Sequence, residues 1–109
     1  MTPHRGEVWW VSLDPTQGSE IRKARPCLVL TGDALNRLRG TVLVVPYSTG
    51  AGAHPPITVA VTCQGNDAVA VIDQVRAIAK HRLKERIETA TAADVAAVGA
   101  ALSEVLELT

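Results

Sequence analysis

Phenylalanine is absent from these 109 residues, and the aromatics amount to two tryptophans and one tyrosine. A core built from this chain must therefore be aliphatic, and 47% of it is apolar, rich in valine and alanine. Long apolar runs are missing as well. Stretches such as Val42-Leu43-Val44-Val45 fall far short of the roughly 18 residues that a membrane-spanning helix needs. Arg5-Gly6-Glu7 precedes any apolar block, so a secretory leader is not expected. Cysteine is scarce. Cys27 and Cys63 have no Cys-x-x-Cys or histidine spacing around them, which points to buried free thiols in a reducing compartment rather than a bridge or a zinc site. The expected location is cytoplasmic. With no internal repeat, low-complexity tract or linker, residues 1–109 read as one domain.

Net charge is absent too, and alone this argues against a nucleic-acid partner. Its distribution argues the other way. All 11 lysines and arginines lie in residues 1–87, while residues 88–109 hold Glu88, Asp94, Glu104 and Glu107 and no cation. A basic body with an acidic end can present a positive face to phosphates. An ordinary mixed surface explains the charge alone equally well.

What is present is strand pattern. Apolar runs recur at Val8–Leu13, Pro26–Leu30, Thr41–Val45, Ile57–Thr62 and Ala68–Ile78, with a further short one near Arg86–Thr89. Ile57, Val59 and Val61 alternate with Thr58, Ala60 and Thr62, as in a strand with one buried face. The Thr41–Val45 run is expected to stop at Pro46, which cannot donate to a central ladder. Gln64-Gly65-Asn66-Asp67 reads as a turn, and Gly50–Pro56 as a second loop. The chain then changes period. Thr91 and Asp94 have the spacing of a capping box, and Val95, Val98, Leu102, Val105 and Leu106 share one helical face. Strands followed by one amphipathic helix predict a small, strongly curved antiparallel sheet or barrel closed by that helix.

Three places carry more polarity than a core tolerates. The first is the loop from Asp14 to Pro26, longer than a hairpin needs and holding Ser19, Glu20, Arg22, Lys23 and Arg25. A solvated linker is the plain reading of such a charge run. Arg25, however, is pinned by Pro26 at a strand start, and it reads as a phosphate-facing group. The second place is Tyr47-Ser48-Thr49-Gly50, which offers two hydroxyls as a buried strand ends, or is simply a Ser/Thr turn. The third is Asp73-Gln74-Val75-Arg76, polar on both faces directly after an aliphatic run. It either lines a cleft or forms an Asp73–Arg76 salt bridge.

Arg5-Gly6-Glu7-Val8-Trp9, Leu13-Asp14-Pro15, Gly18-Ser19-Glu20, Arg25-Pro26 and Asp73-Gln74-Val75-Arg76 occur here in an order and spacing that resemble the MazF/PemK (Kid) toxins. The resemblance extends through Arg82-Leu83 to the terminal helix. It implies a CcdB/PemK-like, SH3-like barrel with a C-terminal helix, a homodimer, and metal-independent, cofactor-free endoribonuclease activity on single-stranded RNA. It also implies neutralisation by a small MazE-like antitoxin. The sequence departs from the family at Ala79, where members often carry an acid.

This chemistry asks little of the protein, because the RNA supplies its own nucleophile, the 2′-hydroxyl. In-line attack leaves a 2′,3′-cyclic phosphate and a 5′-hydroxyl, and the enzyme moves protons and stabilises charge on phosphate oxygens. Arg25 matches the family's arginine at this step. Since a guanidinium is a poor base, its roles are leaving-group protonation and a two-pronged hold on the phosphorane. Ser48 aligns with a family hydroxyl on the scissile phosphate, with Thr49 the alternative. Glu20 and Asp73 are the candidate general bases, ahead of His4, His54 and His81. Ser19, Lys23, Gln74 and Arg76 are candidates for holding RNA, and Tyr47 for stacking on a base. Two rival functions remain open to the sequence: a CcdB-like poison of DNA gyrase, and a non-catalytic barrel that binds RNA or peptide.

Overall fold

The computed structural model describes residues 2–13, 24–50 and 52–108. Valine-rich runs form strands because branched side chains pack well on a pleated surface. The strands are β1 Glu7–Ser12, β2 Ala24–Val29, β3 Thr41–Ser48, β4 Thr58–Cys63, β5 Asn66–Val71, β6 Arg76–Ala79 and β7 Leu83–Thr89. Every pairing among them is antiparallel, in the order β4-β5-β3-β2-β1-β7, with β6 also on β3. Two helices complete the fold, α1 Asp33–Leu38 and α2 Ala92–Val105. The expected curled antiparallel sheet with a C-terminal helix is what forms.

Strand alternation gives the sheet two cores. Trp9 and Val11 of β1 join Cys27, Val29, Val42, Val44, Ile78 and Leu83 on one face. Those residues come from five strands, β6-β3-β2-β1-β7, whose two ends are linked by the short turn Lys80–Arg82, so this part curls around its own side chains. Val8 belongs to the other face, with Leu28, Val45, Tyr47, Val61, Ala70 and Ile72, and α2 covers it through Val98 and Ala101. Val95, Leu102 and Val105 flank that contact as the helical spacing predicts, whereas Leu106 lies past the helix end and is exposed.

Four local expectations need correcting. β3 does not stop at Pro46. Leu30 N–H donates to Leu43 O, and alternation then turns the Pro46 nitrogen away from β2. On that opposite edge β6 pairs only as far as Val44 and β5 begins at Tyr47, so the missing N–H falls where the strand changes partners. The Ala68–Ile78 run is two strands broken by the turn Ile72–Gln74, because Ile72 is fully buried and donates its N–H to Ile57 O. Ile57 itself precedes β4 and is exposed. Asp94 completes only half a capping box: its N–H donates to Thr91 Oγ1, but its carboxylate Oδ2 accepts from Thr62 N–H. Helix α1 has no counterpart in the sequence reading.

The Arg5-Gly6-Glu7 motif is structural. Arg5 donates its side chain to Leu30 O and its N–H to Asp33 Oδ1, joining the N-terminus to the end of β2 and to α1. Gly6 has φ +90 and lies beneath Val95 of α2, so a side chain there is conformationally strained. Glu7 accepts from His4 N–H, Trp9 Nε1 and Arg86 Nε. Among the described residues, no helix is long and apolar enough to cross a membrane.

Candidate RNA-binding and active site

Arg25 is the second residue of β2, opposite Val11 of β1, and the half-buried Pro26 follows it on the strand. Its side chain is exposed at the strand end. Beneath it the Cys27 thiol is buried, and burial pushes it up to about 12 against the pull of the Arg25 and Arg76 charges. Ser48 closes β3 from the neighbouring strand, half-buried, with its hydroxyl donating to Thr49 O at 3.4 Å.

Arg25 and Ser48 line the same two hollows. The larger, of about 410 Å³, runs from Arg25, Ser48 and Thr49 across Trp10 and Pro26 to Gln64, Asn66 and Asp67 on the β4–β5 turn. The smaller, of about 140 Å³, lies between Arg25, Ser48, Val71 and Gln74. A guanidinium and a hydroxyl at the junction of two hollows suit an anionic group with a substituent on each side.

The other expected site residues divide. Gln74 joins Arg25 and Ser48 in the smaller hollow, and Thr49 joins them in the larger. Asp73 is exposed on the turn that carries Gln74 but lines neither hollow. Arg76 is exposed on β6 opposite Val44, and no Asp73–Arg76 ion pair forms among the described residues. Ser19, Glu20 and Lys23 lie outside the described residues. None of the three histidines lines either hollow, and His4 instead faces Asp33 at 3.3 Å. Among the described residues, no group of three or more His, Cys, Asp or Glu converges as a metal-ligand set.

Tyr47 corrects the stacking expectation. It is 2% exposed and belongs to the helix-covered core, and its hydroxyl has no hydrogen-bond partner among the described residues. Burial first, then the Asp94, Cys63 and Glu88 charges, push that phenol well above its usual range. The signal was available. Tyr47 is two residues after Val45, so once the strand is carried through Pro46 both side chains fall on the core face. Tyr47 forms part of the wall of both hollows but is too buried to stack on a base. The more accessible aromatic lining the larger hollow is Trp10, half-buried and opposite Pro26, while Trp9 is core. Cys27 and Cys63 are both buried and free, as expected.

The model of the family described as PemK-like, MazF-like toxin of type II toxin-antitoxin system matches residues 4–106. The chain is 36% identical over 113 residues to Endoribonuclease MazF9 of Mycobacterium tuberculosis, an alignment covering 95% of this chain and 96% of that protein. Its fold is similar to the crystal structure of MazF from Deinococcus radiodurans, with a TM-score of 0.82, 28% identity and 98% of each chain covered. A crystal structure of MazE–MazF from the same organism is similar at a TM-score of 0.79 and 25% identity, covering 100% of each chain. The chain belongs to the PemK/MazF-like toxins of type II toxin–antitoxin systems.

Proposed function

We propose that this chain is a sequence-specific endoribonuclease toxin that cuts single-stranded RNA without a metal ion or cofactor. The RNA 2′-hydroxyl attacks the adjacent phosphorus, and the 5′-oxygen leaves to give 2′,3′-cyclic phosphate and 5′-hydroxyl ends. Arg25 holds the phosphate oxygens and protonates the departing oxygen. Ser48 donates to the same phosphate, with Thr49 beside it, and Gln74 and Arg76 hold the strand. Asp73 or Glu20 removes the 2′-hydroxyl proton.

One observation carries this reading: Arg25 and Ser48, from the ends of different strands, line the same hollows in a chain of this family. Donors fixed in place before charge develops are the main source of such catalysis, because no reorganisation is needed at the moment of reaction. The toxin acts in the cytoplasm as a homodimer and is neutralised by a MazE-like antitoxin; the MazE–MazF relative supports the antitoxin part of this reading.

The test is incubation of the purified protein with single-stranded RNA in excess EDTA, followed by mapping of the ends. Cutting with cyclic-phosphate and 5′-hydroxyl ends is expected. Loss of cutting in EDTA, or 3′-hydroxyl ends, contradicts the mechanism. RNA binding without cutting, unchanged by Arg25→Ala, favours a non-catalytic barrel instead.

A further inference from the structure

We propose that the β4–β5 turn reads one unpaired base next to the scissile phosphate, Gln64, Asn66 and Asp67 contacting the base edge and Trp10 its face. This deepens the endoribonuclease reading and rests on it. The larger hollow is continuous from Arg25 and Ser48 to this turn, so a nucleotide whose phosphate sits at Arg25 has room for its base here. Among the described residues lining the hollow, Arg25 is the only cation. The far wall therefore does not attract phosphate; it offers two amides and a carboxylate.

The turn is built at a cost that simple chain reversal does not require. Cys63 pairs with Asn66, and the two residues between them, Gln64 and Gly65, have φ of 54 and 79. A two-residue turn with both φ positive is served best by Asn-Gly, whereas the left-handed region is unfavourable for glutamine. Gln64 is held there nonetheless. Its N–H donates to Glu88 Oε2 at 3.0 Å, and Asn66 Nδ2 donates to Gln64 O at 3.4 Å. The turn thereby presents a long amide side chain beside Asp67 at the rim of the hollow. Ionised Asp67 only accepts, so it requires a base edge with a donor, an exocyclic amine or a ring N–H, while the amides can do either. Trp10 supplies a flat surface for any base.

The experiment maps cut sites of the wild type, Asp67→Asn and Gln64→Ala on one long transcript, with circular dichroism to confirm folding. Asp67→Asn keeps the side chain's shape but turns an acceptor into a donor and acceptor. The expected result is that preference at one nucleotide position relaxes or switches by on the order of tenfold, while the other positions keep theirs. A cut-site profile identical to the wild type's in both variants overturns the proposal. A uniform loss at every site in the folded Asp67→Asn variant overturns it too. A wild type that leaves the transcript uncut is a separate failure, that of the endoribonuclease reading itself.

Discussion

Glu88 on β7 accepts the N–H of Gln64 at the end of β4 at 3.0 Å, and these two strands stand at opposite ends of the sheet order. The bond brings the two edges of the curl together without a backbone ladder. Alternation explains why it is available. Ile72 N–H donates to Ile57 O, so Val59, Val61 and Cys63 bond toward β5 while Thr62 and Gln64 face outward. Asp94 of α2 accepts from the other outward donor, Thr62 N–H, at 3.0 Å. Two carboxylates thus occupy edge donors that otherwise offer a template to another strand.

Removing either carboxylate is therefore expected to loosen the closure. Glu88→Ala and Asp94→Ala should each lower unfolding free energy by about 1 kcal/mol in urea titrations, and Glu88→Gln by less, because its amide oxygen still accepts. Unchanged midpoints in both alanine variants contradict a closing role for these carboxylates.

The start of α2 depends on one hydroxyl. Thr91 Oγ1 accepts the Asp94 N–H at 3.1 Å, satisfying one of the helix's first donors. Thr91→Ala should cost about 1 kcal/mol, and Thr91→Ser should recover most of it. For a domain of this size the loss corresponds to roughly 4–8 °C in Tm. Equal Tm values for wild type and Thr91→Ala show that the cap does not support the helix.

Glu7 predicts the acid limb of the stability curve. Burial alone raises its carboxyl, but bonds from His4 N–H and Trp9 Nε1, with the Arg86 and His4 charges, outweigh it and hold Glu7 below its ordinary 4.5. A carboxyl depressed in the folded state binds fewer protons there than when unfolded. Its stabilisation is complete above the ordinary value and fades as pH falls through the lowered one. Urea titrations across acid pH should show Glu7→Gln less stable than wild type at neutral pH, with a flatter loss on acidification. Parallel curves contradict this linkage.

How much of this was legible in the sequence depends on whether local pattern or distant partners decide. Thr91 and the Val95–Val98–Leu102–Val105 spacing located α2, because capping and amphipathicity are local. Pro46 misled, because its tolerance depends on two strands, β5 and β6, exchanging places beside it. Helix α1 was invisible for the opposite reason. It is six residues long, begins at Gly32 without a side-chain cap, and leaves Leu35 and Leu38 exposed, so no periodic burial marks it. At the site, Arg25 and Ser48 were found through their motifs and strand-end positions. Trp10 and the Gln64–Asp67 turn were not, because their meeting requires the curl that folds β4–β5 back over β1 and β2.

The central claim is that Arg25 and Ser48 act together on one phosphate. A double-mutant cycle tests it most directly, measuring single-turnover RNA cleavage for wild type, Arg25→Ala, Ser48→Ala and the pair, all confirmed as folded. Arg25→Ala should lose about a hundredfold or more, and the pair should lose clearly less than the product of the two single losses. Losses that multiply, or a folded Arg25→Ala protein cutting at the wild-type rate, contradict a shared phosphate site.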